Sequence, residues 1–173
     1  MTDIPLQHFS KLGELTQAGS DVSVVATPQQ LPALAEWAGV SKVTRWDALV
    51  RLKRLSTTRF SYEADLVADV VQACVVTLDP VKSHLKRHIA RELHFDPSVP
   101  AEEGVLTLSA GDDEVPETIT SLHYDLAGPL LEEFLLAIDP YPRKRGAAFA
   151  PPSSGETPPE NPFAVLKALK DRE

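Results

Sequence analysis

Four side chains in the middle of the sequence have the chemistry to hold a metal or attack a substrate: Cys74, His84, His88 and His94. Sulfur and imidazole nitrogen suit zinc, but structural zinc sites draw their ligands from closely spaced pairs, and this spacing matches no such pattern. Cys74 is flanked by Ala73, Val75 and Val76, an apolar setting that raises a thiol's pKa and blunts its nucleophilicity. The expectation is a packed core cysteine and surface histidines on a basic strand. No Gly-rich phosphate loop, GxSxG elbow, HExxH or paired CxxC occurs. A metal-dependent hydrolase built on Asp112, Asp113 and Glu114 is the minority reading, because those acids sit in a Gly-containing loop without rigid support. The sequence thus points to no catalytic residue, no metal site and no cofactor.

A second constellation consists of charge alone. Arg51, Lys53 and Arg54 lie on one segment, and Lys82, Lys86, Arg87 and Arg91 on another. The chain of 173 residues has a formal net charge of −8, which argues against coating a polyanion or an acidic membrane by bulk attraction. Its charges are segregated, however. Residues 42–94 carry ten basic and six acidic groups, whereas residues 95–138 carry ten acids and no Lys or Arg. The first stretch is the part able to meet RNA phosphates, provided both basic segments lie in one sheet; otherwise it is a solvated face. With only Phe60 and Tyr62 close by, base stacking is not indicated, and contact would be to the backbone and shape of structured RNA.

Regular elements must position these groups. Short apolar stretches over residues 4–26 suggest one or two strands. Thr27 and Pro28 then open a helix whose stripe is Leu31, Leu34, Ala35 and Ala38, stopped by Gly39. Residues 43–55 read as a strand and 56–59 as a turn. From Tyr62 the alternation is clean, with Tyr62, Ala64, Leu66, Ala68 and Val70 on one face and Glu63, Asp65 and Asp69 on the other. That strand is expected to run into the core until Asp79-Pro80 breaks it. Residues 81–95 fit both helical and strand spacing, and strand is favoured. Residues 96–117 form an acidic loop with one short strand candidate, Val105–Leu108. A second helix starts between Leu126 and Pro129, capped by Asp125 or Gly128, and turns Leu130, Leu131, Phe134, Leu135 and Ile138 inward before Asp139-Pro140. Seven of the 15 prolines fall between residues 140 and 162, which marks a linker. Asn161 and Pro162 then open a short amphipathic helix with Phe163, Val165, Leu166 and Leu169.

Three stretches, VADVVQACVVTLDPV, YDLAGPLLEEFLLAIDPYPRKRGAAF and the terminal NPFAVLKALK, together resemble the YceD family, the large ribosomal RNA subunit accumulation proteins. The likeness spans residues 60–173 and is loose over residues 1–55. It implies a cytoplasmic bacterial protein, or an organellar relative, needed for accumulation of 23S ribosomal RNA, and it supplies no catalytic residues. Many members carry CxxC where this chain has Cys74; here the second position is Thr77, and one thiolate cannot anchor a metal site.

The fold expected is α+β: a mainly antiparallel sheet over residues 43–124 packed by two helices, with residues 1–146 as one domain and 147–173 as Pro-rich linker and short helix. The function expected is non-catalytic support of large-subunit ribosome assembly. The basic strands would touch rRNA or a pre-ribosomal particle, while the acidic loop and terminal helix engage a basic ribosomal protein or assembly factor. Tyr141 and Arg143, with Phe163, Leu166 and Leu169, are the candidates for that protein contact. The alternative is an adaptor that acts through the acidic loop and tail without touching RNA. No membrane partner is expected.

Overall fold

The computed structural model describes residues 4–98 and 116–149. In chain order its elements are β1 (Phe9–Lys11), β2 (Ser20–Val25), α1 (Gln30–Trp37), β3 (Lys42–Arg54), β4 (Arg59–Ala73), β5 (Pro80–Phe95), β6 (Glu117–Ile119), β7 (His123–Asp125) and α2 (Ala127–Ala137). Alternating side chains build the centre. Phe60, Tyr62, Ala64, Leu66, Ala68 and Val70 of β4 are all buried, while Glu63, Asp65 and Asp69 take the opposite face. β3 buries Val43, Trp46, Ala48, Val50 and Leu52 beside them, and β5 adds Ile89 and Leu93. Five strands form one sheet in the order β2-β3-β4-β5-β6, antiparallel except for the β5–β6 pair. β1 and β7 make a separate two-stranded sheet. The fold is α+β, as the sequence indicates. β2 lengthens the sheet beyond the expected 43–124, because the valines of residues 22–25 pair with Asp47–Val50.

Both helices cover the same face of the sheet. The Gln30 side chain of α1 accepts from the Thr27 backbone N–H and hydroxyl and Thr27 O accepts from the Leu31 N–H, a capping box that, as the sequence indicates, sets Thr27 and Pro28 at the opening of the helix. It ends in a left-handed Gly39, φ 66°, with Val40 N–H bonded to Ala35 O and Gly39 N–H to Glu36 O, the reciprocal pair of a Schellman stop. Asp125 caps α2 by accepting the Ala127 N–H at 3.0 Å, and it also takes the His8 N–H at 2.8 Å, which ties the N-terminal segment to the helix. Phe134 of α2 meets Trp46 edge to face at 6.5 Å, and the Tyr62 hydroxyl donates to Leu126 O at 2.9 Å. Among the described residues no helix is long and apolar enough to cross a membrane.

Three expectations change. β4 stops at Ala73 instead of running to Leu78, because Gln72 and Cys74 turn their polar atoms to the segment after α2 and Cys74–Asp79 becomes a hairpin turn. Arg59 already belongs to β4, not to the preceding turn. Leu135 faces outward, 41 % exposed, since Leu130, Leu131 and Phe134 already fill the buried stripe of α2. The strand candidate Val105–Leu108, the acids Asp112, Asp113 and Glu114, and the terminal helix with Phe163, Leu166 and Leu169 lie outside the described residues.

Candidate nucleic-acid interface

β3 and β5 do share a sheet, but β4 lies between them, and strand parity divides the basic residues over two faces. Arg51 and Lys53 of β3 and Lys82 and Lys86 of β5 point outward, away from the helices, in register with Glu63, Ser61, Val71 and Val67 of β4. Arg54, Arg87 and Arg91 pair across from Phe60, Leu66 and Tyr62 and so point to the helix-bearing side. Arg54 there donates to Ser56 O. Arg87 stands exposed beside Ala137 at the end of α2, in a shallow groove with His84, Leu85 and Lys86. Arg91 is a clamp: it bridges Glu132 of α2 at 2.8 Å and Glu117 of β6 at 3.3 Å, with 28 % of its side chain exposed. Tyr124 reinforces it by donating to the other Glu117 oxygen.

On the outer face the acidic residues of β4 neutralise their neighbours. Asp65 holds Arg51 and His88, both at 2.8 Å, and Asp69 holds His84 at 2.6 Å. Arg45 is paired with Asp47 and Arg59 with Glu92. The His88 ring and the Arg51 guanidinium hold the Asp65 carboxyl below the usual carboxylate range. Among the described residues, the cations of this face outside any ion pair are Lys42, Lys53, Lys82 and Lys86. At the β-bulge after Val43, Thr44, Asp69, Val71, Lys82 and His84 line a groove of about 310 Å³. Again among the described residues, no three His, Cys, Asp or Glu side chains converge to hold a metal.

The segment that follows α2 straps the near end of the sheet. Gln72 Nε2 donates to Asp139 O at 2.8 Å, and the Val75 N–H donates to Pro142 O at 2.9 Å. Lys144 does two things: its N–H donates to Cys74 Sγ at 3.3 Å, and its ammonium pairs with Asp79 at 3.0 Å. The Lys144 N–H, then Thr77 and the Val76 N–H, bring the Cys74 thiol down to about 6. This corrects the raised value read from the neighbours: Cys74 is buried, but backbone donors surround its sulfur, and Val75 is 47 % exposed. Tyr141, Arg143 and Arg145 stand exposed on the strap.

Lys42 and Arg145 are absent from the candidates that the sequence suggests. Lys42 opens β3, and its place in a row with Val71 and Lys82 follows only from the register.

An α+β sheet with one face covered by helices and the other studded with alternating charge defines the class of protein. The family model of the large ribosomal RNA subunit accumulation protein YceD matches residues 62–170, more than half of the chain, and the chain belongs to that family. Membership connects it with accumulation of large-subunit ribosomal RNA. No curated protein and no solved structure matches the chain.

Proposed function

We propose that this protein supports large-subunit assembly and 23S rRNA accumulation in the cytoplasm, without catalysis, by touching rRNA or a pre-ribosomal particle through the cations that the sheet leaves unneutralised. The observation that carries this reading is the row of Lys82 and Lys86 on the outer face of β5, with Arg87 on the opposite face of the same strand. All three are exposed and, among the described residues, outside any ion pair. Lysine ammonium groups in such a row contact phosphates as point charges, without reading bases. Arg51 contributes less because Asp65 already holds it, and Arg91 contributes to the fold. The test is complementation. Cells depleted of the protein should lose 23S rRNA and mature large subunits, and a chain carrying Lys82→Glu, Lys86→Glu and Arg87→Glu should fail to restore them although it folds. Full restoration by that variant removes the cation row from the account.

The ion pairs of the outer face favour a second reading, since most of the guanidinium charge there is already matched. In it the chain is an adaptor acting through the acidic segment and the tail, with Phe163, Leu166 and Leu169 as anchors, and binds no RNA. Ending the chain at residue 149 separates the two: an adaptor loses its protein partners, whereas a direct RNA binder keeps most of its affinity.

A further inference from the structure

We propose that the strapped end of the sheet is a docking site for single-stranded RNA, with Tyr141 as the platform on which a base stacks and Arg143 and Arg145 as its phosphate partners. This deepens the rRNA-contact reading and rests on it. Phe60 and Tyr62, the aromatics nearest the basic strands in sequence, are buried in the core and unavailable to a base. The strap supplies a different one. Tyr141 is 72 % exposed and sits between Pro140 and Pro142, whose rings fix φ, while its N–H donates to Asp139 Oδ1 at 2.9 Å. Pro142 is buried, and the bonds to Gln72, Val75 and Cys74 hold the strap on both sides of it. The ring is therefore held out in water by a rigid support, where it buries little and stabilises little.

The adjoining hairpin turn shows the same disregard for burial. Leu78 adopts a left-handed φ of 61°, a conformation strained for a residue with a side chain, and it leaves that side chain 78 % exposed.

The charge around these apolar groups is positive. Arg143 and Arg145 are exposed and, among the described residues, unpaired. Lys42 and Lys82 form a separate row on the outer face of the sheet. The local acids are engaged: Asp79 by Lys144 and Thr77, and Asp139 by the Tyr141 N–H. Within a chain of net charge −8, this end directs an approaching polyanion to itself. One exposed aromatic ring beside unpaired arginines is an arrangement that binds single strands, because every base has a face to stack and every nucleotide a phosphate. An anionic lipid surface also attracts cations beside apolar groups, but the family's connection is with ribosomal RNA.

The experiment measures binding of the full chain to an unstructured RNA oligonucleotide, to an RNA duplex of equal length and to anionic lipid vesicles. The single strand should bind more tightly than the duplex. Tyr141→Ala should weaken single-strand binding roughly five- to a hundred-fold, while Tyr141→Trp retains it and its fluorescence is quenched by RNA. The double variant Arg143→Ala, Arg145→Ala should lower the slope of log affinity against log salt by about 0.7 for each phosphate that is no longer neutralised. Single-strand binding unchanged by Tyr141→Ala and by the double arginine variant overturns the site while leaving rRNA contact elsewhere on the sheet intact. Binding to vesicles alone overturns it in favour of a membrane surface. Binding to no RNA at all overturns both this site and the rRNA reading beneath it.

Discussion

Asp65 has the largest influence on what the outer face can do, because one carboxylate holds Arg51 and His88 at once. Replacing it by asparagine keeps the shape and frees both partners. Asp65→Asn should therefore strengthen binding to rRNA fragments and steepen its salt dependence by up to about one further neutralised phosphate, read from titrations at several salt concentrations. Unchanged binding would mean that Arg51 faces no phosphate. Cys74 offers a second test. Its folded pKa of about 6 lies below the ordinary thiol value of about 8.5, so the thiolate form stabilises the fold above the unfolded value, and that stabilisation is lost as pH falls through 6. The melting-temperature gap between the natural chain and Cys74→Ser should widen from pH 6 to about 8.5. A gap independent of pH would contradict the backbone donors as its cause. The sequence shows Cys74 and its apolar neighbours, but the pKa depends on Lys144, 70 positions away, which no local reading reaches.

Among the elements, β4 is the most legible, since its period-two alternation already assigns Glu63, Asp65 and Asp69 to one side and the core residues to the other. What the alternation cannot show is that this acidic side lies between two basic strands. A shift of one residue in pairing would exchange Lys82 and Lys86 with Arg87 and Arg91 between the two faces, so the register decides which cations of β5 share a surface with Arg51 and Lys53 of β3. The opening of α1 is legible too: Gln30 reaches back to the Thr27 N–H while Thr27 O accepts from Leu31, a capping box with Thr27 as cap and Pro28 first in the turn that leads into Gln30–Trp37. α2 depends on Phe134, fully buried edge-on against Trp46. Phe134→Ala should lower stability by about 3–5 kcal/mol in denaturant unfolding. A loss below about 1 kcal/mol would show that α2 is not fixed to the sheet by this packing.

At the scale of the whole molecule, the segregated charges of the sequence are rearranged by the fold. The basic stretch 42–94 folds onto its own acids, the Arg91 clamp joins β5 to β6 and α2, and the remaining positive charge gathers along β5 and at the strapped end. The total of −8 and the block pattern are readable from composition, but this redistribution is not. We propose the folded domain as residues 1–146, with the remainder outside its core. A chain ending at residue 149 should then melt within a few degrees of the full one, and a large loss of stability would place the tail in the core. The central claim is that unneutralised lysines on the sheet meet ribosomal phosphates, and salt tests it most directly. Affinity for 23S rRNA fragments should fall steeply with salt, and Lys82→Glu with Lys86→Glu should flatten that dependence by about 0.7–0.9 for each phosphate the lysines no longer meet. A salt-independent affinity, or a slope that the paired reversal leaves unchanged, would contradict it.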